Sequence, residues 1–523
     1  MPEPTVIARL ESVVATQPRR VCIFYGRERI TNAELAARIH AYGSHLQTDH
    51  GVRPGDRVGI LLKNSPEFIY ALYAVLKSGA TVVPINSFLK APEIQHIVDD
   101  CQLKCLITSA DFDETISRVK GVPVVPQEKL AVAALVKRGA VSSSSRFPAV
   151  AAREERGNQQ LAGATVASPT WPPVAPTDLA VIIYTSGTTG KSKGAMLTHD
   201  NIISNVRSCI LALEPTKADR LVLLLPMFHS FMLTVCIFTP LSVGAGIVLI
   251  KSVQPFKMAM REIIRNRATI LVGIPQLFQA LADARIPFWL HWVLNLHLAV
   301  SGAAPLPAET LGKFDRKFHF PLLEGYGLSE ASPVVSFNPI RGVRKPGSVG
   351  LPLPDVEVKI FDDHGQELPA GQMGEIVVSG PNVMRGYFNH PEETAAAVRN
   401  NWLHTGDMGK KDEDGYIYIV DRRKEMLLVR GMNVYPREIE EVLHQFPNVR
   451  EAAVVPKPDE KRGEVPIAFV SPVAGAKLEP GEILGFCRER LADYKIPREI
   501  RVLEALPRTA TGKIAKLELK KQV

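Results

Sequence analysis

Leu179-Ala180-Val181-Ile182-Ile183 runs directly into Tyr184-Thr185-Ser186-Gly187-Thr188-Thr189-Gly190-Lys191-Ser192-Lys193-Gly194. The first five residues are a short apolar run that reads as a buried strand. The residues after them gather hydroxyls, glycines and lysines into one loop. Glycine lets backbone N–H groups approach phosphate oxygens, hydroxyls add donors and lysine adds charge, so the loop has a phosphate-handling composition. Met196 to Leu211 then reads as a helix whose start, Thr198-His199-Asp200, is cap-like. A Ser/Thr/Gly-rich surface turn is the plainer reading of such a loop. The doubled lysine and the strand-loop-helix setting favour phosphate.

Gly190-Lys191-Ser192 imitates the end of a P-loop, but that motif needs G-x-x-x-x-G-K-[ST], and the position of its first glycine is held by Thr185. The spacing excludes that class of NTPase. At 523 residues the chain is too long for one compact core, so two or more domains are expected. Its 46% hydrophobic and 22% charged content is that of an ordinary globular protein. The net charge of +8 suits anionic ligands, and no dense Lys/Arg block marks a nucleic-acid site.

Six cysteines, Cys22, Cys101, Cys105, Cys209, Cys236 and Cys487, lie mostly in apolar surroundings and read as reduced core residues of an intracellular protein. Met1-Pro2-Glu3-Pro4 lacks the basic start and apolar core of a signal peptide. Leu221 to Ile250 contains no Asp, Glu, Lys or Arg, yet Pro226, His229, Pro240, Gly244 and Gly246 divide it. It reads as strand, loop, buried helix and strand in a large core rather than a membrane span. A cytoplasmic location is expected, with at most peripheral contact with the inner membrane face.

Helix and strand signals alternate along the first hundred residues. Thr31 and Glu34 form a capping box, Arg57 to Leu62 is a strand, and Ser65-Pro66 opens a second helix. Ala80 to Ile85 and Lys104 to Thr108 are further strands. Such alternation implies α/β architecture with parallel sheet. Residues 132 to 176, rich in Ala, Ser, Pro and Arg, read as a surface excursion. Alternation resumes through Leu221 to Leu225, Ile270 to Ile274 and Leu298 to Ser301. After Gly347 come short strands with Gly and Asp-Gly turns, which imply a small antiparallel β unit. A compact α+β domain follows from about Asp421, with helices at Arg437 to Phe446 and Ile483 to Leu491 and strands at Ala452 to Val455 and Ile467 to Val470.

Further clusters carry chemistry. Gly325-Tyr326-Gly327-Leu328-Ser329-Glu330 sets an aromatic ring that could stack on a base beside a carboxylate that could hold magnesium, or it is a tight turn with a packed tyrosine. Ser301-Gly302-Ala303-Ala304-Pro305 ends a strand in small residues, with room for a flat ring. Trp402-Leu403-His404-Thr405-Gly406-Asp407 offers an acid after a glycine turn. His229 stands inside the uncharged stretch, where a satisfied buried histidine is the default. Lys513 follows Thr511-Gly512 near the C-terminus, as a solvated tail lysine or a cation delivered by a mobile loop.

In this order the motifs resemble those of the superfamily of AMP-forming acyl-CoA synthetases, adenylating domains and beetle luciferases, over about Gly26 to Ile514. The resemblance implies a large N-terminal domain, 1–421, of parallel-rich βαβ sheets with a small antiparallel β unit, and a mobile α+β C-terminal domain, 422–523. It implies that Thr185, Ser186, Gly187, Thr188, Thr189, Gly190 and Lys193 wrap the β- and γ-phosphates of ATP, with Thr188 and Glu330 on Mg2+. Gly302, Ala303, Gly325 and Tyr326 would hold adenine, Ser329 the α-phosphate, and Asp407 with Arg422 the ribose. Phe228, His229, Val272 and Gly327 would border the acyl pocket. Lys424 would be the hinge, Gly431 would line the coenzyme A tunnel, and Lys513, with Glu330 and Thr188, would be catalytic.

No acid follows Phe228 to pair with a substrate amine, as adenylating domains for amino acids require; Ser230-Phe231-Met232-Leu233-Thr234-Val235 stands there instead. An acid without an α-amine is therefore implied, and the motif wording most resembles bacterial medium- and long-chain fatty-acid ligases. Alternatives are an aryl-acid ligase, an enzyme loading a carrier protein, and an inactive nucleotide-binding regulator. Glu330, Asp407, Arg422 and Lys513 together argue against decay. Oligomeric state stays open, a homodimer included.

Overall fold

The computed structural model describes residues 4–130, 171–185, 192–252, 255–284, 293–422, 425–429, 432–459, 462–509 and 513–523. Most of the 132–176 excursion, Ser186 to Gly190, Lys424 and Gly431 lie outside these residues, as does the side chain of Arg422.

Leu179–Thr185 is a strand, as its apolar run requires. It does not lead through a loop into a helix. Lys193–Thr198 returns antiparallel to it, with Thr185 opposite Lys193 and Ile183 opposite Ala195. Met196 and Leu197 therefore belong to a strand, and the helix is His199–Leu213, capped by Thr198, whose hydroxyl accepts from the N–H of Asn201. Gly194, Ala195, Leu197 and Thr198 are buried, so the strand shows no clean period-two alternation that would have separated it from a helix. A P-loop would open directly into its helix, so the hairpin agrees with the failed spacing.

This hairpin belongs to a seven-stranded sheet that also contains Thr81–Pro84, Arg57–Leu61, Cys105–Thr108 and Val124–Pro126, all parallel to one another. A second, nine-stranded sheet has at its centre the parallel strands Val21–Tyr25, Gly246–Leu249, Arg220–Leu223, Ile270–Gly273, Leu298–Ser301 and Leu322–Gly327. The βαβ run of the first hundred residues is thus shared between two sheets. One continuous apolar core holds side chains from both. Helix Pro66–Lys77 carries Phe68, Ile69, Tyr70, Leu72, Tyr73, Val75 and Leu76 buried around its whole circumference, the pattern of a helix packed on every side. Ser65 occupies its N-cap without a side-chain cap bond, and Pro66 supplies the start. The Thr31–Glu34 capping box is complete, with bonds of 3.2 and 2.9 Å.

The uncharged stretch resolves as expected into strand Arg220–Leu223, buried helical residues Met232–Val243 and strand Gly246–Leu249. Among the described residues no helix is long and apolar enough to cross a membrane. All six cysteines are buried and free. Burial drives the Cys101 and Cys105 thiols up to about 12, so both are neutral thiols near pH 7. A third, antiparallel sheet joins Glu357–Phe361, Gly374–Ser379, Trp402–Lys411 and Ile417–Arg422. A fourth, from Leu427 onward, pairs Val449–Asp459 with Gly463–Pro472 and is backed by helices Pro436–His444 and Pro480–Arg488 around its own core.

Asp219 ties together the starts of the central strands of the nine-stranded sheet. One carboxylate oxygen accepts from Thr269 Oγ1 and His297 Nε2, each at 2.8 Å, and the other from Thr216 N and Oγ1 at 2.7 and 2.8 Å. Its carbonyl accepts from Gly246 N at 2.8 Å. Burial alone would raise the Asp219 pKa, but the bonds from His297, Thr216 and Thr269 outweigh it and hold the carboxyl well below the usual range. Asp219→Ala should lower unfolding stability by about 3 kcal/mol, because it strands several donors that now share one acceptor. A urea midpoint unchanged from the parent would show that the node is dispensable.

Candidate active site

Parallel strands place their outgoing loops at one edge, and the crevice there is where open α/β sheets bind ligands. Here Leu225 to Phe231 leaves strand Arg220–Leu223, Ile274 to Gln276 leaves Ile270–Gly273, and Gly302 to Ala304 leaves Leu298–Ser301. Tyr326 lies at the same end of Leu322–Gly327. These segments meet in one cleft. It is lined by Phe228, His229, Met232, Ile274, Gln276, Ala303, Ala304 and, from the far C-terminal segment, Lys513.

Packing fixes each segment. A Cβ on Gly302 would sit 2.9 Å from the Phe231 ring, so only glycine lets that ring and the loop backbone meet. Ala303 takes a φ of +65°, a left-handed conformation unusual for a residue with a side chain and a mark of local strain at a site. A Cβ on Gly325 would fall 2.2 Å from Phe337. Ser230 Oγ and Ser329 Oγ share a hydrogen bond of 3.1 Å, and Thr234 Oγ1 donates to the Ser332 carbonyl at 2.7 Å. The histidine segment and the Ser329-Glu330 turn are therefore laced together.

At the hairpin end, Thr185 Oγ1 donates to Glu330 Oε1 at 3.3 Å, and Tyr387 OH donates to the same oxygen at 3.0 Å. Lys193 Nζ pairs with Glu393 at 3.3 Å, above the ring of Tyr387. On the other side Tyr326 OH donates to Asp407 Oδ2, and both residues are buried. Asp407 stands directly opposite Arg422 in the antiparallel ladder. Hydrogen bonds thus join Thr185 and Tyr387 to Glu330, Ser329 to Ser230, and Tyr326 to Asp407, while Ala303 lines the cleft. This donor set fits a magnesium nucleotide: a carboxylate beside hydroxyl groups for the cation, a lysine for phosphate, and a buried aromatic ring next to small residues for a base.

Lys513 closes a short hairpin. Thr509 N donates to the Lys513 carbonyl at 2.7 Å, Thr509 Oγ1 to the same carbonyl at 3.2 Å, and Arg508 pairs with Ile514 at the base and with the carboxylate of Glu451. His229 faces it across the cleft. Burial, and secondarily the charge of Lys513, lowers the His229 pKa to about 4, so the ring is neutral near pH 7. Phe231 N points at His229 Nδ1 at 3.4 Å, which leaves the proton of the neutral ring on Nε2.

One expected acyl-pocket residue stands elsewhere. Val272 is fully buried in the core beneath the strand, because its side chain points to the opposite face from that of Leu271 and into packed apolar neighbours. Gly327 is exposed at the end of its strand, where a Cβ would meet the Pro333 carbonyl at 2.3 Å. Ile274 and Gln276 line the cleft instead. Tyr387, Glu393 and Gln276 carry no motif signal and are visible only through their contacts. Ser186 to Gly190, Lys424 and Gly431 lie outside the described residues.

The AMP-binding enzyme family matches residues 10–388, and the AMP-binding enzyme C-terminal domain matches 438–513. The chain belongs to this family. It is an AMP-forming acyl-CoA ligase. It is 35% identical to a long-chain-fatty-acid–CoA ligase of Bacillus subtilis, over 99% of this chain and 94% of that one. It is 34% identical to a feruloyl-CoA synthase of an Amycolatopsis species, over 97% and 96%. ATP-bound MatB from Rhodopseudomonas palustris superposes with a TM-score of 0.86 at 30% identity, covering 99% of this chain and 98% of that one, whereas apo MatB gives 0.76. O-succinylbenzoate CoA synthetase of Bacillus subtilis with ATP and magnesium gives 0.82 at 30% identity, over 98% and 99%.

His199, fully buried at its helix start, is lowered to about 4 by burial as His229 is. Between pH 4 and 6.5 the unfolded chain binds protons at both that the folded ligase does not, so stability rises with pH across this window and is lost on acidification. In His229→Asn the slope of stability against pH should fall by up to about 1.4 kcal/mol per pH unit there, with His199 still contributing. Urea midpoints measured from pH 4 to 7 check it; an unaltered slope would mean that His229 titrates normally.

Proposed function

We propose that this ligase activates a fatty acid and transfers it to coenzyme A. The observation that carries the reading is the entry of Lys513 into the same largely apolar cleft as His229, Phe228 and Ala303. A carboxylate is a poor electrophile. Its oxygen attacks the α-phosphorus of ATP, the bond to the β-phosphate oxygen breaks, and pyrophosphate leaves. Lys513 stabilises the charge that develops on the α-phosphate and carboxylate oxygens, an electrostatic contribution that is worth most in a dry site.

Thr185, Ser186, Gly187, Thr188, Thr189, Gly190 and Lys193 hold the departing pyrophosphate, Ser329 contacts the α-phosphate, and Asp407 with Arg422 holds the ribose. Gly302, Ala303, Gly325 and Tyr326 enclose adenine. Thr188 and Glu330 hold magnesium, whose chemistry is to neutralise phosphate charge. Glu330 is oriented for this by Tyr387 and Thr185. Residues 1–421 and 422–523 act as two domains joined at Lys424. Rotation of the smaller one withdraws Lys513 and brings the Gly431 face to the cleft for attack by the thiol of coenzyme A.

The fatty-acid reading is supported by the apolar lining and by the similarity to the Bacillus subtilis ligase. An aryl-acid substrate is the second reading, favoured by nearly equal identity to the feruloyl-CoA synthase. Pyrophosphate release over a panel of alkyl and aryl acids, with and without coenzyme A, separates them. Release with long-chain alkyl acids and thioester formation is expected. Release confined to aryl acids would replace the substrate class, and no release with any acid would sink the ligase reading. Lys513→Ala should slow adenylate formation by at least about a thousandfold while sparing thioester formation from a supplied acyl-adenylate. Equal loss in both half-reactions would contradict its assignment.

A further inference from the structure

The acyl cleft is apolar on nearly all sides, with one exception that neither the motifs nor the proposed reaction uses. Gln276, in the first turn of helix Pro275–Asp283, is among its lining residues. Its Oε1 is shut off from solvent and has no hydrogen-bond partner among the described residues. Buried side-chain acceptors are nearly always paired, and one left unpaired costs about 1–3 kcal/mol. The other polar groups of this wall have duties: Lys513 serves the reacting phosphate, and His229 is turned by its contact with Phe231 N. A ligand-binding wall that keeps an acceptor among Leu225, Pro226, Phe228, Phe231 and Met232 is suited to a substrate that brings a donor to it.

We infer that Gln276 is a specificity-determining residue that accepts a hydrogen bond from a hydroxyl group on the acid, so that a hydroxylated carboxylic acid is preferred to its plain counterpart. This rests on the ligase reading above and narrows its substrate class. The carbon skeleton bearing the hydroxyl is alkyl or aryl; what Gln276 recognises is the O–H. A site built to bond a hydroxyl discriminates strongly against the analogue lacking it, because the amide is then desolvated without return, whereas an apolar wall scarcely distinguishes the pair.

The test uses the full chain with ATP and magnesium and measures pyrophosphate release on matched acids. Straight-chain alkanoic acids are paired with their hydroxyalkanoic counterparts, and arylpropenoic acids with their ring-hydroxylated counterparts. The parent should favour the hydroxylated member of one pair by at least about tenfold in kcat/KM. In Gln276→Leu, and in the unbranched Gln276→Met, that ratio should collapse to within about threefold, with the plain acid gaining. Because the ratio compares two acids on one preparation, partial loss of folded protein cancels. A parent that treats both members of both pairs alike overturns the inference, as does a preference that survives both substitutions or a loss that falls equally on both acids. No release with any acid instead overturns the ligase reading itself.

Discussion

The carboxylate of Asp219 gathers donors from Thr216, Thr269 and His297 while its carbonyl holds Gly246, and these residues stand at the starts of neighbouring parallel strands. The arrangement at the other edge depends on that constraint. Parallel strands pinned in register at one end deliver their loops at fixed offsets at the other. The His229 segment, the Ile274-Gln276 turn and the Gly302-Ala304 loop arrive side by side for this reason. The two sheets share a core in which side chains such as Tyr73 and Phe238 meet edge to face, so the hairpin carrying Thr185 and Lys193 is held against the loops of the other sheet. Catalytic geometry here is a consequence of strand register.

Much of this was legible in the residues. Apolar runs of strand length bounded by turn residues gave Leu179 to Ile183, Ile270 to Ile274 and Leu298 to Ser301 to within a residue or two, and the Thr31–Glu34 box formed as its spacing requires. Motif order gave the family, because five short signals in a fixed sequence are far more specific than any one. Partition was not legible: strands 21–31 and 57–108 show the same local alternation but join different sheets, since pairing partners such as Gly246 to Leu249 lie more than two hundred residues away. Nor was the face of Val272, which the strand turns into the core, or the contribution of Gln276, whose meaning comes only from its unpaired oxygen.

Lys513 shows how a lone lysine near a chain end acquires a role. Its hairpin is closed by Thr509, bridged from Arg508 to Ile514, and braced by Arg508 on Glu451. Three residues on, Lys516 pairs with Glu440 at 2.9 Å and with Glu425 at 2.8 Å, just beyond the hinge residue proposed above. Burial would lower the Lys516 pKa, but the charges of Glu440, Glu425 and Asp421 raise it instead, so it stays cationic. The lysine that enters the cleft is therefore mounted on a segment tied by ion pairs both to helix Pro436–His444 and to Glu425.

The pairing of Lys193 with Glu393 bears on how the ligase tells one anion from another. A bare lysine at a phosphate loop would attract any phosphate, and cells hold inorganic phosphate in abundance. Glu393 supplies a resident counter-ion, so an incoming anion gains only the difference between its own attraction and that of the carboxylate it displaces. A single orthophosphate gains little from this exchange. A polyphosphate chain that reaches Lys193, the hydroxyls of the hairpin and a cation near Glu330 at once gains several contacts for one displaced. Under the phosphate role proposed for Lys193, the internal ion pair is a threshold that favours multivalent phosphate over a single orthophosphate.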